Sequence, residues 1–181
     1  MKISELTEDK VLDEAGLGRV LQNVKTRNIG MISACRADEP NLEIRKTKNL
    51  ANTEQLKKDI TAAGFGYQPL MGSYIENAGT PNQTKVIEYS FLIVESEKSK
   101  DKLYRFLKQE AAKFNQESFL FKAASNEEAF LVSPEGNVQQ SAGKFHVGKL
   151  SDYSSKIRGK HFTFVKDEEL PTELQNKPKL P

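Results

Sequence analysis

The segment KVIEYSFLIVES at residues 85–96 constrains the fold more than any other part of the chain. Its β-branched and aromatic residues predict a strand. Because side chains alternate across a strand, the aromatic residues share one face, and Glu88 and Ser90 lie on the other. The bulky face is large enough to pack against two helices and consists of Ile87, Tyr89, Phe91 and Ile93. The pattern therefore predicts an interior strand with one apolar and one partly polar side.

The order of elements around this strand predicts an α+β fold. Strands are predicted at residues 29–35, 65–76 and 118–124, and helices at 46–63 and 100–114. Strand, helix, strand, strand, helix, strand is the order of the split β-α-β unit, so we expect a ferredoxin-like core with helices on one face of an antiparallel sheet. Pro69 cannot donate a hydrogen bond to a neighbouring strand, which places its strand at the edge of the sheet.

The remaining segments are assigned to the same domain, except for the last one. Residues 127–142 predict a β-hairpin that extends the sheet, with Gly136 and Asn137 at the reversal. A further helix and a final strand are predicted at 10–27 and 161–165. Residues 167–181 are rich in charge and proline and have no apolar period, so we expect a flexible tail after a single domain over 1–166.

Composition argues against several classes of protein. A single cysteine, Cys35, excludes an internal disulfide framework, and the presence of only 2 histidines argues against a zinc site. No apolar run approaches the roughly 20 residues that cross a bilayer, and the polar beginning of the chain does not resemble a secretory signal. We therefore expect a cytoplasmic protein and predict no cofactor, no metal and no membrane partner.

Polar residues at the ends of the predicted elements surround the polar face of the central strand. An ionised carboxylate is costly to bury alone, so Glu88 requires water, a partner or a proton. Arg36 follows the first strand, and its planar guanidinium suits pairing with Glu88 or Glu76. Such residues either stabilise the sheet or bind a polar ligand, and the wet face of an antiparallel sheet needs no function at all. The candidate ligand-binding residues are Arg36, Asn49, Glu76, Glu88, Ser90 and Gln116.

Three other chemistries have weaker support in the sequence. Residues 143–166 interleave basic and aromatic residues, as single-stranded nucleic-acid-binding proteins do, although alternating aromatics also suit a final strand. Glu76 and Glu88 with Asn49 form a weak divalent-metal set. Cys35 lacks any local signature of a nucleophile, so we predict no catalytic residue.

Five short segments follow one another in a recognisable order: MISACR, KNLANTEQLKKDITAAGF, LMGSYIE, IEYSFLIV and FNQESFLF. This succession, over residues 29–124, resembles a family of small uncharacterised proteins from phages and bacteria. The resemblance implies a phage or mobile-element origin, with the protein in the host cytoplasm or associated with the virion. The matching positions are Arg36, Asn49, Gly72, Glu88, Ser90 and Gln116.

These observations favour a small non-enzymatic accessory protein that binds a protein partner or a small polar ligand. One alternative is an enzyme that acts on a nucleotide or nucleic acid through Glu88, Glu76 and Arg36. The other is a single-stranded nucleic-acid-binding protein that uses residues 143–166. Nucleic acid is not the favoured partner, because the net charge of the whole chain is only +2.

Overall fold

The computed structural model describes residues 22–76, 79–95, 102–148, 154–157 and 160–170. Its elements are β1 Ile29–Ser33, α1 Leu42–Ala62, β2 Gly66–Glu76, β3 Thr84–Val94, α2 Lys102–Lys113, β4 Phe119–Lys122, β5 Glu128–Val132, β6 Val138–Val147, β7 Ser154–Ile157 and β8 Lys160–Val165. A short 3₁₀ helix, Asp167–Glu169, follows the last strand. Among these described residues, no helix has the length and apolar character needed to span a membrane.

The eight strands form one closed antiparallel barrel in the order β1-β3-β2-β7-β8-β6-β5-β4. Strand β4 closes the barrel by pairing with β1 from Ile29 opposite Lys122 to Met31 opposite Leu120. The longest ladder joins β2 and β3 along their whole length. An eight-stranded barrel has an interior wide enough either to be filled by side chains or to hold one small ligand.

The predicted ferredoxin-like α+β fold is wrong. Its open sheet would end at the strand that contains Pro69, but β2 pairs with β3 on one side and with β7 on the other. The proline is tolerated because β7 pairs only with residues 71–73, beyond it. Strands β5 to β8 do not simply extend the sheet, since they run from β4 round to β2 and close it.

The two helices pack against the outside of the barrel. Phe91 and Ile93 of β3 and Ile32 of β1 are buried in this outer core, as the alternation along β3 predicted. Tyr89 continues the same face but is 55% exposed. Helix α2 approaches β1 so closely that a Cβ on Gly30 would lie 2.3 Å from Leu107 Cδ1. The helical side chains of the outer core are Leu56, Ile60, Leu103, Phe106, Leu107 and Ala111.

The interior of the barrel is apolar at one end. Val24, Ile29, Leu70, Leu92 and Phe162 are buried there as a second cluster. The opposite end is where β1 finishes and β4 starts, and there the interior side chains include serines and Glu88. One end of the barrel is therefore filled and the other is open.

Local capping explains where the helices begin and end. The helix predicted over 46–63 corresponds to α1, which starts earlier, at Leu42. It starts there because the Asn41 side chain accepts hydrogen bonds from the amides of Glu43 and Ile44. Gly64, at φ +82°, follows the same helix in the left-handed conformation that glycine adopts readily at helix ends.

Buried Glu95 anchors the beginning of α2. Its Oε1 accepts a hydrogen bond from the Leu103 amide at 3.0 Å, and its Oε2 accepts one from Asn28 Nδ2 at 2.6 Å. A carboxylate at this position also interacts favourably with the helix dipole. Glu95 therefore has a structural role.

Two predicted segments lie largely outside the described residues. Of the helix predicted over 10–27, residues 22–27 are described, and 22–26 are helical. Of the predicted tail, residues 167–170 are described, and Lys144 Nζ lies 2.7 Å from Asp167 Oδ2. The interval 171–181 lies outside the described residues, so the tail stays a prediction.

Candidate ligand-binding site

A cleft of about 1080 Å³ occupies the open end of the barrel. Its wall contains Glu88 and Ser90 from β3, Gly72 from β2 and Ser155 from β7. The segments that follow β1 and precede β4 form part of its rim, including Arg36 and Gln116. The other lining residues include the apolar Met31, Leu120, Leu131, Phe162 and Phe164 and the polar Gln140, Ser141, Thr163, Lys166 and Glu169. The cleft is therefore amphipathic, and its size suits one small ligand.

Strand register explains why this cleft is open. Glu88 lies opposite Gly72, Gly72 lies opposite Ser155, and Ser155 lies opposite Phe162. These four residues form one row across neighbouring strands, with Glu88 at one end, an aromatic ring at the other and two small residues between. Gly72 and Ser155 fill little of the interior, so a space remains between the carboxylate and the ring.

Glu88 is the most unusual group in the cleft electrostatically. Burial raises the pKa of its carboxyl group above the ordinary range for glutamate, and a hydrogen bond from Ser33 opposes this only in part. Among the residues whose side chains the structure describes, none forms an ion pair with Glu88. A partly desolvated carboxylate in this state has a tendency to bind either a proton or a cation.

Three side-chain amides hold the strand extension that forms the rim. Asn49 accepts a hydrogen bond from the Arg36 amide at 2.9 Å and donates one to the Arg36 carbonyl at 3.0 Å. Gln116 Nε2 donates to the Cys35 carbonyl at 3.1 Å, and Asn52 Nδ2 donates to the Ala34 carbonyl at 3.4 Å. We call Asn49, Asn52 and Gln116 the amide clamp. It positions residues 34–36 at the mouth of the cleft.

Arg36 does not neutralise Glu88 as the sequence suggested. Its guanidinium donates to both carboxylate oxygens of Asp38, with Nε–Oδ1 at 3.2 Å and Nη2–Oδ2 at 3.0 Å. It also donates to the carbonyl of Asn115. A partner two residues along the chain satisfies Arg36 locally, which leaves the Glu88 carboxylate available to a ligand.

The structure thus brings most of the predicted site residues to one end of the barrel, in two roles. Glu88 and Ser90 line the cleft wall, whereas Asn49 and Gln116 hold its rim. The backbone of Glu76 pairs with Thr84 at the end of β2, and its side chain lies outside the described set. Within the described residues, no group of three His, Cys, Asp or Glu side chains is arranged to hold a metal ion.

Sequence reasoning missed the residues that the far strands contribute. Ser155 and the two rings Phe162 and Phe164 reach the cleft only because β7 and β8 close the barrel. The alternating aromatics of HFTFV were a usable signal, since they indicate a strand with one aromatic face. Ser33 was also missed, although it is two residues from Met31 and lies on the same face of β1.

A second, smaller cavity of about 370 Å³ lies beside the first, between α1 and residues 113–115. Arg36 and Asp38 border both cavities. Most of its charged groups are already paired, with Lys48–Glu39 at 2.8 Å and Arg36–Asp38 at 3.0 Å. The small cavity is therefore a surface of paired ionic groups next to the cleft.

Comparison with known proteins identifies the family. The sequence model of the S-adenosylmethionine lyase family matches residues 30–170, which is most of the chain. The chain belongs to the S-adenosylmethionine lyase family. No curated protein gives a match alongside it. The matched range starts within β1 and ends just after the 3₁₀ helix, so membership of the lyase family covers all eight strands.

Membership of the lyase family corrects four expectations and agrees with a fifth. The chain belongs to a named enzyme family, and the predicted family of uncharacterised phage proteins is wrong. The expected non-enzymatic accessory role conflicts with membership of a lyase family. The two alternatives also do not match it. These were an enzyme acting on a nucleotide or nucleic acid through Glu88, Glu76 and Arg36, and a nucleic-acid-binding protein using residues 143–166. The expectation of a small polar ligand agrees with the family and with the size of the cleft.

Proposed function

We propose that this protein binds S-adenosylmethionine in the barrel cleft and cleaves a carbon–sulfur bond of its sulfonium group. The single observation that carries the proposal is the Glu88 carboxylate, which is half-buried in the cleft wall and forms no ion pair with a described side chain. S-adenosylmethionine provides the missing charge, because its sulfur is permanently cationic and cannot lose that charge by deprotonation. The family to which the chain belongs supports the same substrate.

Lyase chemistry on this substrate needs neither water nor a redox partner. When the bond between sulfur and the amino-acid side chain breaks, its electron pair leaves with sulfur, which becomes a neutral thioether. The carbon is satisfied by the substrate's own carboxylate, which closes a five-membered lactone. This route releases methylthioadenosine and balances in atoms and charge.

The proposed role of Glu88 is to recruit and orient the sulfonium. A carboxylate beside the cation stabilises the bound substrate, and this attraction fades as the sulfur becomes neutral. Acceleration therefore comes from orientation and from exclusion of water in the barrel, which places the reacting groups together and desolvates the nucleophile. Loss of the charge also weakens product binding, which favours release of the thioether.

The clamped rim has a supporting part in this proposal. Residues 34–36 stand at the mouth of the cleft, and three amide side chains from α1 and the segment before β4 hold them there. A fixed rim limits the orientations in which a flexible substrate can enter. Asn49 and Gln116 are thus positioning residues and do not touch the reacting atoms.

The direct test is to incubate the purified protein with S-adenosylmethionine and to follow methylthioadenosine by mass spectrometry. We expect steady product formation, and we expect Glu88→Gln to lower kcat/KM by about 100-fold, on the order of 3 kcal/mol. Glu54→Gln, on the exposed side of α1 with 55% of its side chain accessible, is the matched control and keeps full activity. Absence of any thioether product from the folded wild-type protein would contradict the proposal.

A further inference from the structure

The cleft has an aromatic wall that the sulfonium chemistry leaves unexplained. Phe145, Phe162 and Phe164 project into the barrel from β6 and β8. Phe145 and Phe162 stack with ring centroids 5.0 Å apart, and Phe162 is only 1% exposed. Phe164 meets both of them at steep angles, with centroids at 5.5 Å and 6.3 Å. The wall is thus a preformed cluster of rings.

Phe164 is the member of this wall that has surface available. It is only half-buried, it lies near the end of β8, and it lines the cleft. The other two rings support it from below, so its orientation is fixed before any ligand arrives. A flat aromatic surface held in this way is suited to stacking with another planar ring.

The small residues set the distance between the rings and the carboxylate. Glu88 and Phe162 are separated by three strand spacings, about 14 Å measured along the barrel wall. Gly72 and Ser155 lie between them and leave open space. A molecule with a cation at one end, a planar ring at the other and a compact linker between them matches this row.

We infer that the ring wall around Phe164 is the nucleobase subsite, that Gly72 and Ser155 leave room for the ribose, and that Glu88 receives the cationic end. The inference rests on the proposed function for the identity of the ligand. It adds a residue that determines specificity for the adenosyl group over smaller sulfonium compounds. Phe164 binds the adenine by stacking and takes no part in bond cleavage.

Two ligands that each resemble one half of the substrate test the two ends of the site separately in equilibrium binding measurements. Methylthioadenosine carries the adenine without a charge on sulfur, and S-methylmethionine carries the sulfonium without an adenine. We expect Phe164→Leu to weaken methylthioadenosine about tenfold and to leave S-methylmethionine unchanged. Glu88→Gln gives the opposite pattern. Phe121→Leu, on the helix side of β4, is the matched control and changes neither affinity.

A substitution at Gly72 tests the space between Glu88 and the ring wall. A Cβ on Gly72 would lie 3.6 Å from the Glu88 carbonyl oxygen and 3.9 Å from Ser155 Oγ, so Gly72→Ala is compatible with the fold. We expect Gly72→Val to weaken both sinefungin, an uncleavable full-length cationic analogue, and methylthioadenosine, because both carry the ribose, and to leave S-methylmethionine unchanged. Equal weakening of all three ligands would contradict a site that runs from Glu88 to the ring wall.

The outcomes distinguish this inference from the proposed function. If S-adenosylmethionine is cleaved but methylthioadenosine binds Phe164→Leu as tightly as wild type, the nucleobase subsite is wrong and the lyase activity stands. If no cleavage occurs but methylthioadenosine binding depends on Phe164, the subsite stands and the reaction is wrong. Melting temperatures of all variants verify that each one is folded.

Discussion

Glu110, on α2, is the residue whose protonation most directly affects the stability of this fold. It is 8% exposed, and its Oε2 has no hydrogen-bond partner. Burial raises the pKa of its carboxyl group to about 7, while Lys113, 3.8 Å away, opposes the shift and nearby Asp59 reinforces it. The carboxyl group is therefore largely protonated at mildly acidic pH in the folded protein.

We predict that Glu110 makes the protein less stable as the pH rises towards and above 7. The folded carboxyl titrates near 7 and the unfolded one near 4.5, so the folded state binds more protons between these values. The contribution is fully present below about 4.5 and is lost as the pH rises through 7. Glu110→Gln should remove this slope and increase the free energy of unfolding at pH 8 by about 1–3 kcal/mol.

Urea unfolding of both proteins from pH 5 to pH 8 measures this difference. The two curves should converge at the acidic end, because glutamine resembles the protonated acid. Exposed Glu54→Gln should track the wild type throughout. Parallel curves for wild type and Glu110→Gln would show that Glu110 does not titrate in this range.

For single residues, the side of a strand on which a side chain lies was predictable from the sequence, but its interaction partner was not. Alternation along 85–96 placed Glu88 and Ser90 together and opposite the aromatic face, and both line the cleft. The partner of Arg36 was not predictable, because Asp38 competes with every distant carboxylate by being two residues away. Local turn geometry decides that competition, and alternation carries no information about it.

At the scale of elements, the amide clamp couples α1 to the rim of the cleft. Asn49 makes two short bonds to the backbone of Arg36, whereas Asn52 makes one bond of 3.4 Å to Ala34. The clamp explains why polar residues occupy the inward side of a helix where apolar residues would otherwise pack. Asn49 and Asn52 are therefore a matched pair of positions for mutation.

We predict that Asn49→Ala damages catalysis more than Asn52→Ala does. Removing Asn49 leaves a donor and an acceptor of residue 36 without partners, which costs about 1–3 kcal/mol of stability. The rim also loosens, so kcat should fall about tenfold while Asn52→Ala loses less than threefold, since its bond is longer. Urea unfolding and steady-state kinetics measure both effects. Equal losses in the two variants would contradict the clamp.

Helix and strand order were predictable because each element carries its own apolar period. The start of α1 was misplaced by several residues, since residues 42–51 are largely exposed and show no buried face, and only the Asn41 cap marks the start. Periodicity detects burial, and that part of the helix has little. Capping is a local hydrogen bond that a hydrophobic pattern does not reveal.

At the scale of the whole molecule, barrel closure depends on a tight backbone contact at Gly143. This residue adopts φ +85° beside the irregular β5–β6 register. A Cβ there would lie 2.1 Å from the backbone carbon of Val165 in β8. Glycine is required both by the backbone conformation and by the approach of β8.

We predict that Gly143→Ala destabilises the barrel severely, by about 3 kcal/mol or more. The substitution adds left-handed strain and a clash that only movement of β8 can relieve. Gly64→Ala is the matched control, because Gly64 also has positive φ, +82°, but nothing lies within 4 Å of its added Cβ. It should cost only about 1 kcal/mol. Thermal unfolding compares them, and similar losses would contradict the contact.

The closed barrel could not be predicted from the sequence, although most of its strands could. Closure depends on β7, a four-residue strand with the sequence SSKI, which pairs with β2 at only three positions. So short a segment carries no usable hydrophobic period. The pairing of β2 with β7 joins residues about 80 positions apart, and no local propensity specifies it.

The central claim is that the half-buried Glu88 carboxylate attracts a cationic sulfur or its equivalent. It is tested by comparing the Kd of sinefungin, which is cationic at the position of sulfur and cannot be cleaved, with that of S-adenosylhomocysteine, its neutral counterpart. We expect the wild type to prefer sinefungin by at least about tenfold, or 1.4 kcal/mol, and Glu88→Gln to show almost no preference. A preference that survives unchanged in folded Glu88→Gln would contradict the claim.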